Sequence, residues 1–464
     1  MPGLTSGLYI GLSGLQSAQA ALEVVGHNIA NVNTDSYTRQ QATLSANTPQ
    51  TSGTLTFGTG VNLADIAGVR DKYLDLQIVK TTSRESGAST RYSGLEAVST
   101  LLEEDGTTGL STLLQDCFEA FQDLSASPES ASARTGVVGQ AQSLVSGLQE
   151  RYQALEDQIS AADQNAGNIV QEINTLAQQI AELNRSIPAE GASSDEQDQR
   201  QALVNELAGL VDVQVYEDSA GDLQVSLASG SAVLVGGTTA HTLAMAEDGK
   251  VTVSTSGGTA IDVTAGITQG SLGANLDLRD NLLLGYQKQL DQLAAGIIDG
   301  VNALHREGYA LDGTTTGLDF FTGSSVRDMA VNPDLVEDPS LVAAAGTANA
   351  SGDNTIAKAI AGLQEATDTV DTDGDGVGDT GPFSSVLSSL VSEIGLAVQG
   401  QETAAATQEN LLAALQTQRD SVSGVDLDEE AVKLITCQRA YQASANFISV
   451  LDDLMEQLLT QLGS

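Results

Sequence analysis

Apolar residues recur every seven positions at both ends of the chain. The N-terminal repeat runs through Leu8, Leu15, Leu22 and Ile29, and the C-terminal repeat through Leu427, Leu434, Tyr441, Ile448, Met455 and Leu462, with Leu451 and Leu458 on the same stripe. Such a repeat is typical of helices that pack in a coiled coil. We therefore expect a helix at each end and a pairing of the two. The alternative is a core-facing stripe within one compact bundle.

Both terminal helices carry further local signals. Gly7, Gly11 and Gly14 lie on one side of the N-terminal helix. Because an interior Gly costs about 1 kcal/mol relative to Ala, this helix should be marginal alone and allow close backbone approach when packed. Asp426, followed three residues later by Glu429, predicts a capping box at the start of the C-terminal helix.

The longest heptad pattern extends from Val138 to Ile187 and ends before Pro188, which cannot continue a helix. At 1.5 Å per residue, some 50 residues predict a rod of about 75 Å. Apolar stripes at 276–304 and 387–422 predict further helices that pack on it.

The pattern changes near residue 211, where Val211, Val213 and Val215 alternate with polar residues. Similar alternation continues as far as Ile261 and Val263, with Gly, Asp and Ser between the runs. Period-two alternation with turn residues predicts a β-rich domain. Residues 331–380 are mixed and turn-rich, which predicts an inserted lobe.

These patterns predict a mainly α fold with an inserted β domain: N- and C-terminal helices paired as a coiled coil, a long helical-bundle trunk and a nested β-rich middle domain. The predicted domains are a terminal assembly domain of 1–45 and 423–464, a trunk of 46–210 with 271–330 and 381–422, a β-rich domain of 211–270, and a lobe of 331–380.

The charge balance excludes some partners. Asp and Glu number 61 against 19 Lys and Arg, which gives a net charge of −42. Such a chain repels nucleic acid and anionic membrane surfaces. No window approaches the ~20 apolar residues of a membrane span. We therefore expect no nucleic acid partner and no membrane insertion. The first residues also lack the basic and apolar blocks of a cleaved signal peptide.

Candidate chemistry is sparse. No P-loop, GxSxG, HExxH or strand-linked GxGxxG motif occurs. His27, His241 and His305 lack metal-ligand spacing, and we expect His305 to be structural. Cys117 and Cys437 are too few for a multi-cysteine zinc site, and whether they pair stays open. We expect no enzyme activity and no cofactor.

One acidic run resembles a calcium loop. Asp371, Asp373, Asp375 and Asp379 occupy its positions 1, 3, 5 and 9, with Gly376 at position 6. Pro382 stands where a bidentate Glu is expected. The alternative, which we favour, is an acidic solvated turn, and we assign no metal site.

Two terminal motifs carry a family resemblance. Residues 28–34, Asn-Ile-Ala-Asn-Val-Asn-Thr, followed by Tyr37, Arg39 and Gln40, resemble the N-terminal motif of the flagellar rod, hook and hook-associated axial proteins. Residues 423–430 and 438–445 are similar to the C-terminal motif of the same family, and residues 290–321 add a third match. Ser36 departs from the usual Gly, and Cys437 from an expected aromatic residue.

The resemblance implies a structural component of the bacterial flagellum. It implies export through the flagellar type III channel without a cleaved signal peptide, and an extracellular location. It also implies a monomer in solution that self-assembles as a helical ring at the distal end of the hook, where it joins hook to filament. The implied partners are the hook protein, a second hook-associated junction protein and an export chaperone at the C-terminal helix.

Two alternatives stay open. One is a sister axial protein, the hook or distal rod protein; the length of the chain and the acidic start of its last helix favour a hook-associated member. The other is a calcium-binding secreted adhesin or hydrolase on a flagellar scaffold.

The candidate assembly interface comprises the terminal stripes and the turn after the first helix. We expect Asn31 and Asn33 to end that helix in left-handed geometry, and Tyr37 to anchor the returning chain. The interface residues are Leu8, Leu15, Leu22, Ile29, Asn31, Asn33, Tyr37, Leu427, Leu434, Tyr441, Ile448, Leu451, Met455 and Leu458.

Overall fold

A computed structural model describes residues 2–34, 36–52, 55–102, 109–187, 193–218, 221–254, 260–366 and 381–462. The chain forms two compact units. The first consists of Met1–Glu85, Val170–Ile267 and Thr407–Ser464, and the second of Ser86–Ile169 and Thr268–Ala406.

The described residues are mainly helical, and the paired ends, helical trunk and β-rich middle predicted from the sequence are confirmed. The helices are α1 (Pro2–Ala30), α2 (Lys72–Leu101), α3 (Leu110–Ala126), α4 (Ala131–Ser186), α5 (Ser194–Leu210), α6 (Gly270–Asp277), α7 (Leu283–Glu307), α8 (Pro333–Glu337), α9 (Thr355–Gly362), α10 (Phe383–Ser423) and α11 (Leu427–Leu462). A π-helical turn, Leu278–Leu282, joins α6 to α7.

The strands are short and lie in three regions: between α1 and α2, between α5 and α6, and between α7 and α8. They are β1 (Gln40–Ala46), β2 (Gln50–Ser52), β3 (Leu55–Phe57), β4 (Val61–Gly68), β5 (Val213–Glu217), β6 (Leu223–Leu227), β7 (Val233–Gly236), β8 (Thr239–Ala240), β9 (Thr242–Met245), β10 (Val251–Ser254), β11 (Ile261–Asp262), β12 (Phe321–Thr322) and β13 (Ala330–Val331).

A helical core fills the second unit. Phe118 on α3 stacks on Phe383 of α10 with ring centroids 5.9 Å apart, and Phe121 lies 5.2 Å from Phe320. Heptad positions of α4 such as Leu148 and Leu155 are fully buried in this core. The apolar stripes predicted from the sequence therefore meet here.

The predicted lobe at 331–380 is wrong for residues 331–366. Leu335, Val342, Ile356 and Ile360 are buried in the same core as Phe118. The elements there are helices of five and eight residues, α8 and α9. Such short helices leave no repeating stripe in the sequence, so the core contribution of this region could not be recognised.

The β-rich middle belongs to the first unit. One antiparallel sheet has the order β5-β6-β7-β8, and a second has the order β11-β10-β9. Asn184 on α4 holds the first sheet, because its Nδ2 donates to the carbonyls of Leu223 at 2.8 Å and Gly237 at 2.7 Å. The predicted alternations fall on β5, β6, β7, β10 and β11, whereas β8 and β9 gave no sequence signal.

A long hairpin follows α1. The prediction that the trunk is helical from residue 46 is therefore wrong up to Gly68, where β4 ends. Strands β1 and β4 pair antiparallel from Gln40↔Gly68 to Ala46↔Val61, and β2 pairs with β3 near the tip. Strands β1 and β2 consist mostly of Gln, Thr and Ser, so the alternation of apolar and polar residues that signals a strand is weak there.

Helices long and apolar enough to cross a membrane are absent from the described part of the chain.

Candidate assembly interface

The terminal helices α1 and α11 pack against each other through the glycines of α1. A Cβ atom placed on Gly7 would lie 3.0 Å from Leu451 Cδ1, and one on Gly11 would lie 2.7 Å from Ile448 Cγ1. One on Gly14 would lie 3.0 Å from Ser444 Oγ. Contact positions rise along α1 as they fall along α11, so the helices are antiparallel. The glycines bring the α1 backbone against side chains of α11.

The buried line of α1 lies beside the predicted one. Gly11, Ser17, Ala18 and Val25 are buried. By contrast, the predicted interface residues Leu8, Leu15, Leu22 and Ile29 are only partly buried. The buried positions of α1 before Asn28 are therefore small residues as far as Ala18 and valines after it, Val24 and Val25, whereas the leucines are partly exposed.

Packing against α1 covers only part of the apolar surface of α11. Leu434, Ile448, Leu451 and Met455 are partly buried along α1. Three other predicted interface residues are exposed: Leu427 (51%), Tyr441 (38%) and Leu458 (37%). Next to the seam lies an exposed line that the sequence analysis did not single out, here called the α11 stripe: Val432, Ile435, Phe447, Val450 and Leu454.

Asn28 connects the end of α1 to the start of α11. Its Nδ2 donates to the Gln40 carbonyl at 2.9 Å and to Glu430 Oε2 at 3.2 Å. Its Oδ1 accepts from the Gln40 backbone N–H at 2.9 Å and from the Tyr37 hydroxyl at 2.8 Å. Both ends of the amide are thus satisfied, and Asn28 joins three segments of the chain.

The partners of Asn28 are themselves held in place. Glu430 is fully buried and accepts from Lys433 Nζ at 2.7 Å. Burial, together with nearby carboxylates led by Asp195, raises the pKa of Tyr37 far above its ordinary value. Tyr37 is therefore an un-ionised donor at physiological pH, in agreement with the predicted anchoring role.

Of the predicted capping box at the start of α11, the half supplied by Asp426 is present. Asp426 Oδ1 accepts from the backbone N–H groups of Asp428 at 2.8 Å and Glu429 at 3.2 Å. The Glu429 carboxylate instead accepts from Arg39 Nη1 at 3.0 Å, while the Arg39 backbone N–H donates to the Ser423 carbonyl at 2.8 Å. The cap thereby joins the segment that follows α1.

The left-handed geometry expected of Asn31 and Asn33 occurs at Ser36 instead. Ser36 has φ +63°, and Asn349 is the other described non-glycine residue with positive φ. Helix α1 ends at Ala30, and Asn31 Nδ2 donates to the His27 carbonyl at 3.1 Å. The same carbonyl accepts from the Asn31 backbone N–H at 3.1 Å, so this helix end closes without a left-handed residue. Ser36 stands where the family motif usually has Gly, the residue that adopts this geometry most easily.

The remaining candidate chemistry is structural or lies outside the described residues. His305 is buried; its Nε2 accepts from the Ala343 backbone N–H at 2.9 Å, and its Nδ1 lies 2.7 Å from the Leu318 carbonyl. Cys117 and Cys437 are free thiols. The run from Asp371 to Asp379 lies outside the described residues. Elsewhere, within the described ranges, acidic residues, His and Cys do not group in threes as a metal site requires.

Three families match separate parts of the chain. Residues 95–321 match the family described as "Flagellar hook-associated protein FlgK helical domain". Residues 416–462 match "Flagellar basal body rod FlgEFG protein C-terminal", and residues 8–38 match "Flagella basal body rod protein". The last two ranges contain α11 and most of α1, so the terminal pair is built from the segments shared with rod proteins.

Whole-chain comparisons agree. Flagellar hook-associated protein 1 of Escherichia coli strain K12 is 29% identical, over 97% of this chain and 98% of that protein. The protein of the same name from Bacillus subtilis strain 168 is 25% identical, over 98% of each chain. A solved structure of the flagellar hook junction protein FlgK from Burkholderia pseudomallei has the same fold, with a TM-score of 0.65 at 16% identity, over 75% of this chain and all of that one. The chain thus resembles the flagellar rod, hook and hook-associated proteins at its two ends, and it is similar to hook-associated protein 1 over nearly its whole length.

Proposed function

We propose that this protein is a structural subunit of the bacterial flagellum that assembles at the distal end of the hook and forms the junction with the filament. The observation that carries the proposal is the terminal helix pair. Helix α11 packs one side on α1, where Phe447 also approaches Gly11, but leaves most of the α11 stripe exposed. A row of exposed apolar residues of this kind marks an interaction surface, and an assembled junction would cover it.

The partners follow from the same surface. We propose the hook protein on one side, a second hook-associated junction protein on the other, and further copies of this chain around the ring. Before export, an apolar α11 needs protection from unproductive contacts, which supports a cytoplasmic export chaperone on this helix. After export, the protein would be extracellular and would act without catalysis or a cofactor.

The sister-protein alternative has less support. Matches to rod proteins are confined to residues 8–38 and 416–462, whereas the match over 95–321 is to the helical domain of a hook-associated protein. Rod and hook proteins share the terminal segments with this chain, and the middle of the chain favours the junction.

The test combines location with one seam variant. Labelled antibody in electron microscopy should find the native protein in a short zone between hook and filament. Ile448→Asp places a carboxylate against Gly11, where it is desolvated without a partner. In a deletion strain this variant should be secreted but give completed hooks without filaments, flagellin shed into the medium and no swimming.

The matched control is Val233→Asp, which adds the same charge at an exposed residue of β7 and should restore swimming. Label found outside the hook–filament boundary would overturn the junction assignment. Normal filaments with a secreted Ile448→Asp variant would show that the terminal seam is not the assembly element.

A further inference from the structure

The outer side of α1 and the hairpin that follows it form a surface without charge. Residues 1–22 and 40–64 contain no Asp, Glu, Lys or Arg, in a chain whose net charge is −42. Mutual repulsion opposes the approach of two such chains, and it is weakest where both surfaces lack charged side chains. A contact between copies is therefore favoured at this surface.

Large apolar side chains are exposed on both parts of it. On α1 they are Tyr9 (70%) and Leu12 (45%), which the 100° helical step places across the helix from the glycines that meet α11. On the hairpin they are Leu44 (47%), Leu55 (62%) and Phe57 (53%). These five residues are here called the uncharged face.

The two parts are held together as one surface. Ser13 on α1 accepts from the Val61 backbone N–H of β4 at 3.2 Å, and Gly60 lies so close that its Cβ position is 3.3 Å from Ile10 Cα. A groove runs between them, lined by Thr5, Ser6, Tyr9, Leu12, Ser13, Gln16, Asn47, Gln50 and Thr59. None of these side chains is charged, so the groove suits an apolar helix edge.

A second surface of the same chain has matching properties. The α11 stripe is apolar and exposed, and its central part, residues 434–451, contains one charged side chain, Arg439, while Lys433, Asp452 and Asp453 lie at its two ends. It lies on a different helix from the uncharged face, and within the subunit neither covers the other's exposed side chains. A surface that binds its own copy closes a dimer, whereas two different complementary surfaces let subunits add in succession.

We propose that the uncharged face of one subunit binds the α11 stripe of a second copy of this chain. The proposal rests on the proposed function and names the subunit-to-subunit contact within it. Phe57 and Tyr9 would cover Phe447, Val450 and Leu454 of the neighbour, and the groove beside Leu12 would receive the edge of its helix.

The test is a charge exchange in a deletion strain. Phe57→Glu alone and Val450→Lys alone should each lower the number of filaments per cell about tenfold or more, because each buries an unpaired charge in the contact. The double variant Phe57→Glu with Val450→Lys should recover to within about twofold of the parent, since the two charges then face each other across subunits. The control, Phe57→Glu with Val450→Glu, should stay defective.

Both positions are exposed in the subunit, so purified variants should melt like the parent, and secretion of each is measured alongside. Single variants that build filaments normally, or a double variant no better than Phe57→Glu alone, would overturn the pairing. Those results leave the location of the native protein between hook and filament unaffected, so failure of this inference is distinguishable from failure of the proposed function.

Discussion

Single side chains decide whether the terminal helices can pair. The side-chain amide of Asn28 makes four hydrogen bonds, and the buried carboxylate of Glu430 accepts one of the two that it donates. The sequence motif indicated that this segment matters, but it pointed to Asn31, Asn33 and Tyr37. It could not show Asn28 as the centre, because two of its partners are backbone groups of Gln40 and a third, Glu430, is 402 residues away.

Asn28→Asp should release the terminal pair. The substitution removes both donors and places a second carboxylate beside buried Glu430, which we expect to cost about 2 kcal/mol or more. Hydrogen exchange of α1 amides should then accelerate by about 30-fold. Asn33→Asp, the same change at an exposed residue, is the control. Adding Glu430→Gln should restore part of the protection; exchange unchanged by Asn28→Asp would contradict the role of the amide.

His305 should make the second unit sensitive to acid. Burial lowers the pKa of His305 to about 4, below the ordinary value of 6.5, so folding favours the neutral ring. Its contribution is fully present above pH 6.5 and is lost as the pH falls from there through 4, by about 3 kcal/mol.

Two measurements check this expectation. The urea midpoint of the wild-type protein should fall more between pH 7 and pH 4.5 than that of His305→Gln. In spectra of ¹³C-labelled histidine, the resonance that His305→Gln removes should hardly shift above pH 5. Titration of that resonance near pH 6.5 would be the contrary result.

At the scale of elements, the sequence predicted what repeats and missed what does not. The heptads of α4 and the alternation of β5, β6 and β7 extend over enough residues to give a pattern. The hairpin β1–β4 and the short helices α8 and α9 have no such pattern, since their positions depend on contacts with distant segments. On α1 the predicted interface residues were the larger apolar ones, whereas buried Gly11 and Ala18, which permit the closest approach, carry little hydrophobic signal.

Two glycines of α1 should respond in opposite ways to the same substitution. Gly11→Ala places a methyl group 2.7 Å from Ile448 Cγ1, and we expect a loss of about 1–3 kcal/mol from overpacking. Gly26→Ala meets nothing within 4 Å and should gain up to about 1 kcal/mol from helix propensity. Melting of each variant, with amide exchange of α1, measures both. Adding Ile448→Ala to Gly11→Ala should recover stability; equal effects at the two positions would argue against the close contact.

At the scale of the whole molecule, charge sets the response to solution conditions. The net charge of −42 opposes compaction and self-association. The net charge was evident from the sequence, but the sequence alone did not show which surfaces of the folded protein lack charged side chains. That depends on how α1 and the hairpin share a face, and on which side α11 leaves uncovered.

Salt should therefore stabilise the protein without preference for calcium. Raising ionic strength screens the repulsion between carboxylates, and we expect the melting temperature to rise by a few degrees, on the order of 1 kcal/mol or more. Millimolar Ca²⁺ should act no differently from Mg²⁺ at equal ionic strength, in the wild type and in Asp373→Ala with Asp375→Ala. A calcium-specific rise that the double variant removes would instead support a metal site at Asp371–Asp379.

The antiparallel terminal pair also has a consequence in time. Asn28 and Glu430 lie 402 residues apart, so a chain that has emerged only in part holds one helix without its counterpart. Loop closure over such a separation is slow compared with local helix packing. The trunk can therefore mature while the ends are still separate, and the ends join last. A truncated or stalled chain lacks α11, so α1 has no counterpart and the terminal pair cannot form.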